Sequence, residues 1–106
     1  MHEFVMIFVT ADSFSLAKKI SQSLVEKRLV ACANIVPKIE SVFWWKERID
    51  KVNEVLLILK TRKDLFDRVV DQVKLLHTYE VPEIIALPVA CGSKEYLDWI
   101  EKEVEE

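Results

Sequence analysis

The residues best equipped for chemistry lie together in His77-Thr78-Tyr79-Glu80-Val81-Pro82-Glu83, which joins an imidazole, a phenol and two carboxylates. In one reading, His77 and Glu80 form part of a site for a divalent cation or a small ligand. The competing reading is structural: His77 complements the C-terminus of the helix before it, Glu80 accepts loop N–H groups, and Tyr79 packs. A protein metal site normally takes three or four ligands, so the loop alone falls short of one. Cys32 is the other candidate donor, a soft thiolate suited to cuprous ion where its strand leaves the sulfur accessible. With no basic neighbour adjacent in sequence, it otherwise reads as a small buried hydrophobe.

Two further groups invite a chemical reading. Trp44 and Trp45 could stack on bases or a planar ligand, but a tryptophan pair on a protruding hairpin more often anchors a protein contact. Lys60, Arg62 and Lys63 could meet an anion near a helix N-terminus, although such a cluster is usually plain solvated surface. With one glycine in the chain, backbone cradling of phosphates is not expected, and neither paired metal-binding cysteines nor a nucleophile elbow is present. The chain is therefore read as non-enzymatic, with no cofactor required.

These residues need elements to position them. The 106 residues fit one domain spanning 1–106, long enough to bury about two-thirds of the surface its unfolded form exposes. Hydrophobic residues make up 51% and charged residues 31%, which describes regular elements with sharply divided faces. A net charge of −3 gives no electrostatic footprint for nucleic acid or for an anionic membrane. The longest apolar run, residues 4–9, is far below the roughly twenty residues of a membrane span. No basic segment precedes it, so no signal peptide is expected. Cys32 and Cys91 read as reduced thiols in a cytoplasmic protein.

Residues 4–9 are apolar without alternation and predict a strand buried on both faces. Asp12 or Ser13 then caps a helix whose Leu16, Ala17, Ile20, Leu24 and Val25 share a face, closing at Lys27 and Arg28. Residues 31–60 form a long apolar hairpin, with Pro37 marking an edge strand or a bulge. Period-2 alternation turns Ile39, Phe43 and Trp45 one way and Val42 and Trp44 the other, so its tip is apolar on both sides. A tip of that kind marks a contact surface and predicts an oligomer. Residues 55–59 repeat the unalternating pattern of a central strand. Thr61 and Asp64 resemble a capping box, opening a helix that faces the core through Leu65, Phe66, Val69, Val70, Val73 and Leu76. Residues 84–89 are the fourth strand, at an edge because of Pro88, and Ser93 caps a last helix with Tyr96, Leu97, Ile100 and Val104 on one face.

The order βαββαβ plus a helix predicts an α+β, ferredoxin-like fold with an antiparallel sheet, strands 1 and 3 central and 2 and 4 at the edges. Two helices cover one face of such a sheet. A neighbouring subunit is the economical cover for the other.

Five segments, Arg28-Leu29-Val30-Ala31-Cys32-Ala33-Asn34, Phe43-Trp44-Trp45, Leu59-Lys60-Thr61, His77 through Ile84 and Tyr96-Leu97-Asp98-Trp99, together resemble the CutA family of divalent-cation tolerance proteins. The resemblance covers nearly the whole chain. It implies a ferredoxin-like subunit, a tight cytoplasmic homotrimer, and a link to copper and other divalent cations. It also implies likeness to trimeric PII-type signalling proteins, which bind small effectors in clefts between subunits. An enzyme with a site built between subunits is a third class. The family usually has Tyr, Gly and Pro where this chain has Phe43, Glu47 and Thr78. Phe43 loses a hydroxyl, Glu47 implies a tip that does not demand a positive φ, and Thr78 leaves the loop freer in the unfolded chain. For copper or another divalent cation, the expected ligands are His77, with Glu80 as its local helper, and Cys32.

Overall fold

A computed structural model describes residues 2–105. The elements run β1 (Phe4–Ala11), α1 (Phe14–Glu26), β2 (Cys32–Trp45), β3 (Arg48–Arg62), a short 3-10 turn (Lys63–Leu65), α2 (Phe66–Leu76), β4 (Ile84–Pro88) and α3 (Lys94–Glu103). The four strands form one antiparallel sheet in the order β2-β3-β1-β4. Both unalternating runs are central and both proline-bearing strands are edges, because a central strand must donate on both sides and proline cannot. The fold is the ferredoxin-like α+β arrangement that the sequence predicts.

The β2–β3 hairpin is the dominant feature. It stretches the molecule to 44 × 26 × 22 Å and raises the radius of gyration to 14.3 Å, against about 13 Å for a compact chain of this length. The register breaks between Val36 and Ile39, so Pro37 lies in a bulge, where its missing N–H costs no ladder bond. Beyond the bulge, Trp45 pairs with Arg48 around a two-residue turn in which Lys46 and Glu47 have φ of 50° and 66°. The tip thus does adopt positive φ, contrary to the expectation from Glu47. A two-residue hairpin turn that follows the strand twist requires it whatever residues occupy it.

Helix α1 begins as predicted, with the Ser13 hydroxyl accepting from the Leu16 N–H at 3.1 Å. Its end differs from expectation. Arg28 takes φ 57°, its N–H bonds to the Val25 carbonyl and the Leu29 N–H to the Leu24 carbonyl, each at 3.0 Å. This is a Schellman closure with arginine at the position glycine favours. The Arg28 side chain turns to the far end of the chain and donates to the Glu103 carbonyl at 2.9 Å. The predicted capping box at Thr61 does not form. Thr61 is the penultimate residue of β3, buried, and its hydroxyl donates to the Leu29 carbonyl at 2.6 Å. Asp64 pairs instead with Arg62, because the strand runs on to Arg62 and α2 starts only after the 3-10 turn.

The two faces of the sheet are covered unequally. Val5, Ile7, Val9 and Ala11 of β1 and Val55, Leu57 and Leu59 of β3 pack beneath Ala17, Ile20 and Leu24 of α1 and Val69 and Val73 of α2. On the reverse face, α3 covers one end only. Leu97, Ile100 and Val104 pack with Phe4, Ala31 and Leu65, and the buried Arg62 guanidinium ties Glu101 to Asp64 at 3.0 Å each. Burial pulls the Arg62 pKa down, and its two carboxylate partners more than offset that pull. Tyr96, expected on the packed face of α3, is exposed and stacks on Trp99 at 5.5 Å. The rest of the reverse face carries Met6 and Phe8, Leu56 and Ile58, and the half-exposed Ile85 and Leu87 of β4.

Candidate functional site

The loop after α2 is fastened to the ends of β1 and β3 by side chains rather than by secondary structure. His77 ends the helix, its N–H donating to the Val73 carbonyl. Its ring then crosses to β1. Nε2 lies 2.7 Å from the Thr10 carbonyl, and Nδ1 lies 3.0 Å from the Tyr79 N–H. A carbonyl can only accept and a backbone N–H can only donate, so these partners define the neutral ring with hydrogen on Nε2. Both ring nitrogens are thereby spent. The Thr78 hydroxyl donates to Asp12 at 2.9 Å, and the Tyr79 ring lies 4.7 Å from His77.

The Tyr79 hydroxyl reaches Glu54 on β3, donating to its carboxylate at 2.5 Å. Glu54 is 7% exposed. Burial raises the Tyr79 pKa, the hydrogen bond to Glu54 raises it further, and the charges of Glu54 and Asp12 add to the shift. Ionised phenolate would lose its role as donor and face two carboxylates. Glu83, at the exit of the loop, has its carboxyl pushed up by burial and then by the charge of Glu54. The arrangement is a cluster of carboxylates with a phenol as its one strong donor, suited to receiving a cationic group.

The sequence-predicted metal donors are not brought together. Glu80 is exposed and makes none of the loop's recorded hydrogen bonds, so its expected capping of loop N–H groups is not seen among the described residues. Cys32 pairs across from Lys60, which pairs in turn with Met6, whereas His77 bonds to Thr10. Four residues of β1 separate the two levels, about 13 Å along the strand. No group of three or more His, Cys, Asp or Glu placed to hold a metal occurs among the described residues. The Lys60 pairing supplies the basic neighbour that Cys32 lacks in sequence, with the Lys60 ammonium donating to Asn34 and the Cys32 thiol 3.8 Å from the same oxygen. Cys32 also adjoins Tyr96, whose phenol is pushed up by burial and then by the cysteine.

Sequence reasoning missed Glu54, Thr10 and Asp12 as parts of the loop site. Glu54 is 25 residues from Tyr79 and Thr10 is 67 from His77, and no local spacing connects them. The one available signal was the position of Glu54, a charge abutting an apolar run that had to be a central strand.

Residues 5–103 match the family model of the CutA1 divalent ion tolerance protein. The divalent-cation tolerance protein CutA of Archaeoglobus fulgidus is 47% identical over 105 residues, covering 99% of this chain and all of that protein. The chloroplastic protein CutA 1 of rice is 41% identical over 102 residues, 96% of this chain, and this chain spans 58% of that longer protein. The crystal structure of CutA1 from Oryza sativa superposes with a TM-score of 0.96 at 40% identity, over 99% of this chain and 96% of the other. The structure from Archaeoglobus fulgidus, described as a periplasmic divalent cation tolerance protein, gives 0.92 at 46% identity over 99% and 100%. No helix among the described residues is long and apolar enough to cross a membrane. With the fold and almost the full length of the chain in agreement, this protein is a member of the CutA1 family of divalent ion tolerance proteins.

Proposed function

We propose that this protein serves divalent-cation tolerance as a non-enzymatic homotrimer in the cytoplasm, with its ligand site between subunits at the loop of residues 77–83. The observation that carries the reading is the uncovered apolar surface. It combines the reverse sheet face with a hairpin on which Trp44 is 71% exposed and Val42 and Ile49 are exposed beside it. A patch of this kind on a small subunit calls for a protein partner, and a second copy of the chain brings a matching apolar hairpin of its own. The two free cysteines fit a reducing compartment.

Direct binding of copper or another divalent cation then needs donors from more than one chain. Within one subunit His77 has no free ring lone pair, and Glu80 and Cys32 stand apart. A PII-like role, with a small effector between subunits, is favoured by the neighbouring carboxylates of Glu54 and Glu83, which call for a cationic group and not specifically a metal. Light scattering on the full chain tests the assembly, and a monodisperse monomer at micromolar concentration sinks it. Thermal-shift titration of the oligomer with copper, zinc and a panel of cationic metabolites separates the two ligand classes, since only a bound species raises Tm. His77→Ala is expected to leave metal affinity unchanged while loosening the loop.

A further inference from the structure

We propose that Glu54 is one half of an intermolecular ion pair whose other half is Lys51 on the hairpin of a second copy of this chain, so that the loop site is complete only in the assembly. The inference rests on the assembly reading above and deepens it by naming the contact that joins hairpin to loop.

Glu54 is more than nine-tenths buried, yet among the described residues no Lys, Arg or His lies within 4 Å of it. Its single recorded donor is the neutral hydroxyl of Tyr79. Glu83 and Asp12 add negative charge around Glu54 and its phenol partner. A buried carboxylate without a counter-charge is costly to hold, which marks the site as unfinished within one subunit. Its position says from where it is finished. Strand alternation places Glu54 on the same face as Leu56 and Ile58, the reverse face left open by α1, α2 and most of α3.

The hairpin offers the matching charge. Register places Val42 opposite Lys51 and Trp44 opposite Ile49, with Glu40 opposite Asn53, all on one side. This is the most exposed apolar side of the hairpin, and among its cross-strand pairs Lys51 is the one cation, Lys38 lying back at the bulge where the register breaks. The other cations near the tip are engaged: Lys46 lies 5.8 Å over the Trp45 ring, and Arg48 is 3.8 Å from Asp50. Lys51 is exposed and pairs with no carboxylate among the described residues. When the Trp44 side of one hairpin covers the open face of a neighbour, Lys51 is the charge it delivers.

The pair cannot close within one chain. Lys51 and Glu54 are three apart on β3, so alternation turns them to opposite faces. A contact between position 51 of one copy and position 54 of another can form twice across a two-fold axis or once per step around a ring. The ion pair therefore accounts for the buried acid and requires a second copy to form.

The test uses the full chain and follows subunit dissociation on dilution at several salt concentrations. Lys51→Glu and Glu54→Lys are each expected to weaken assembly at least about tenfold, and the double reversal in one chain to restore most of the loss. Glu54→Gln keeps the shape and the Tyr79 bond, and should weaken assembly and flatten its salt dependence. Lys51 is solvent-exposed in the subunit, so Lys51→Glu reports on assembly even where Glu54→Lys fails to fold by circular dichroism. Dissociation constants of Lys51→Glu and Glu54→Gln within twofold of an oligomeric wild type would overturn the ion pair and leave the assembly standing. A monomeric wild type would overturn the assembly reading itself.

Discussion

The two faces of the sheet are built from equally apolar strands and end in different environments. On the helix side, Ile7, Leu57 and Leu59 are 0% exposed. On the reverse side, Ile85 and Leu87 remain 51% and 47% exposed, although they pair directly with Phe8 and Met6 in the same sheet. The difference is one of cover and not of residue type. Two amphipathic helices cross the first face, while α3 reaches the second only at the Phe4 end. An apolar strand face therefore does not reveal whether its cover is intramolecular. It says only that a cover is called for.

The sharpest way to break this comparison is truncation on each face in turn. Leu57→Ala removes a fully buried side chain and should cost about 3 kcal/mol of subunit stability, read as a lower urea midpoint. Ile85→Lys on the open face should cost the isolated subunit no more than about 0.5 kcal/mol, while strongly weakening assembly by light scattering. Equal losses of subunit stability in the two variants would mean that the faces are not covered differently.

Smaller effects sharpen the picture of the hairpin and the loop. Glu47→Gly relieves a left-handed backbone at the turn and should stabilise the protein by about 1 kcal/mol in thermal unfolding. No gain would mean that the Glu47 side chain makes compensating contacts in the assembly. At the loop, both tyrosines of the chain have raised pKa values, Tyr79 most of all. Tyrosinate absorbance should accordingly stay low in the folded protein at pH 10, where about half of free tyrosine is ionised. The sign of the linked stability follows from the raised folded pKa. Tyrosine's contribution is whole below about pH 10, the unfolded value, and is lost as pH climbs through the folded value. Half-ionisation of the native protein at pH 10 would show that the Tyr79–Glu54 bond is absent in solution.

What the amino-acid order determined on its own is the set of elements and their rank in the sheet. Unalternating runs at residues 4–9 and 55–59, Pro37 and Pro88, and the Ser13 and Ser93 caps all act through near neighbours, so period and turn chemistry suffice to read them. The polarity of the hairpin tip was legible for the same reason. Where the local rule met a competing one, tertiary structure decided. Thr61 looked like a cap but continues the strand as a buried residue bonded to Leu29, and Glu47 entered the left-handed region because the twist of two long strands selects that turn. The loop site lay beyond sequence altogether. His77 meets Thr10, Thr78 meets Asp12 and Tyr79 meets Glu54 across 25 to 67 residues, and only the docking of the loop onto β1 and β3 makes them neighbours. Donor type could be read from the chain, but whether a donor's lone pair stays free depends on partners that folding brings from far away.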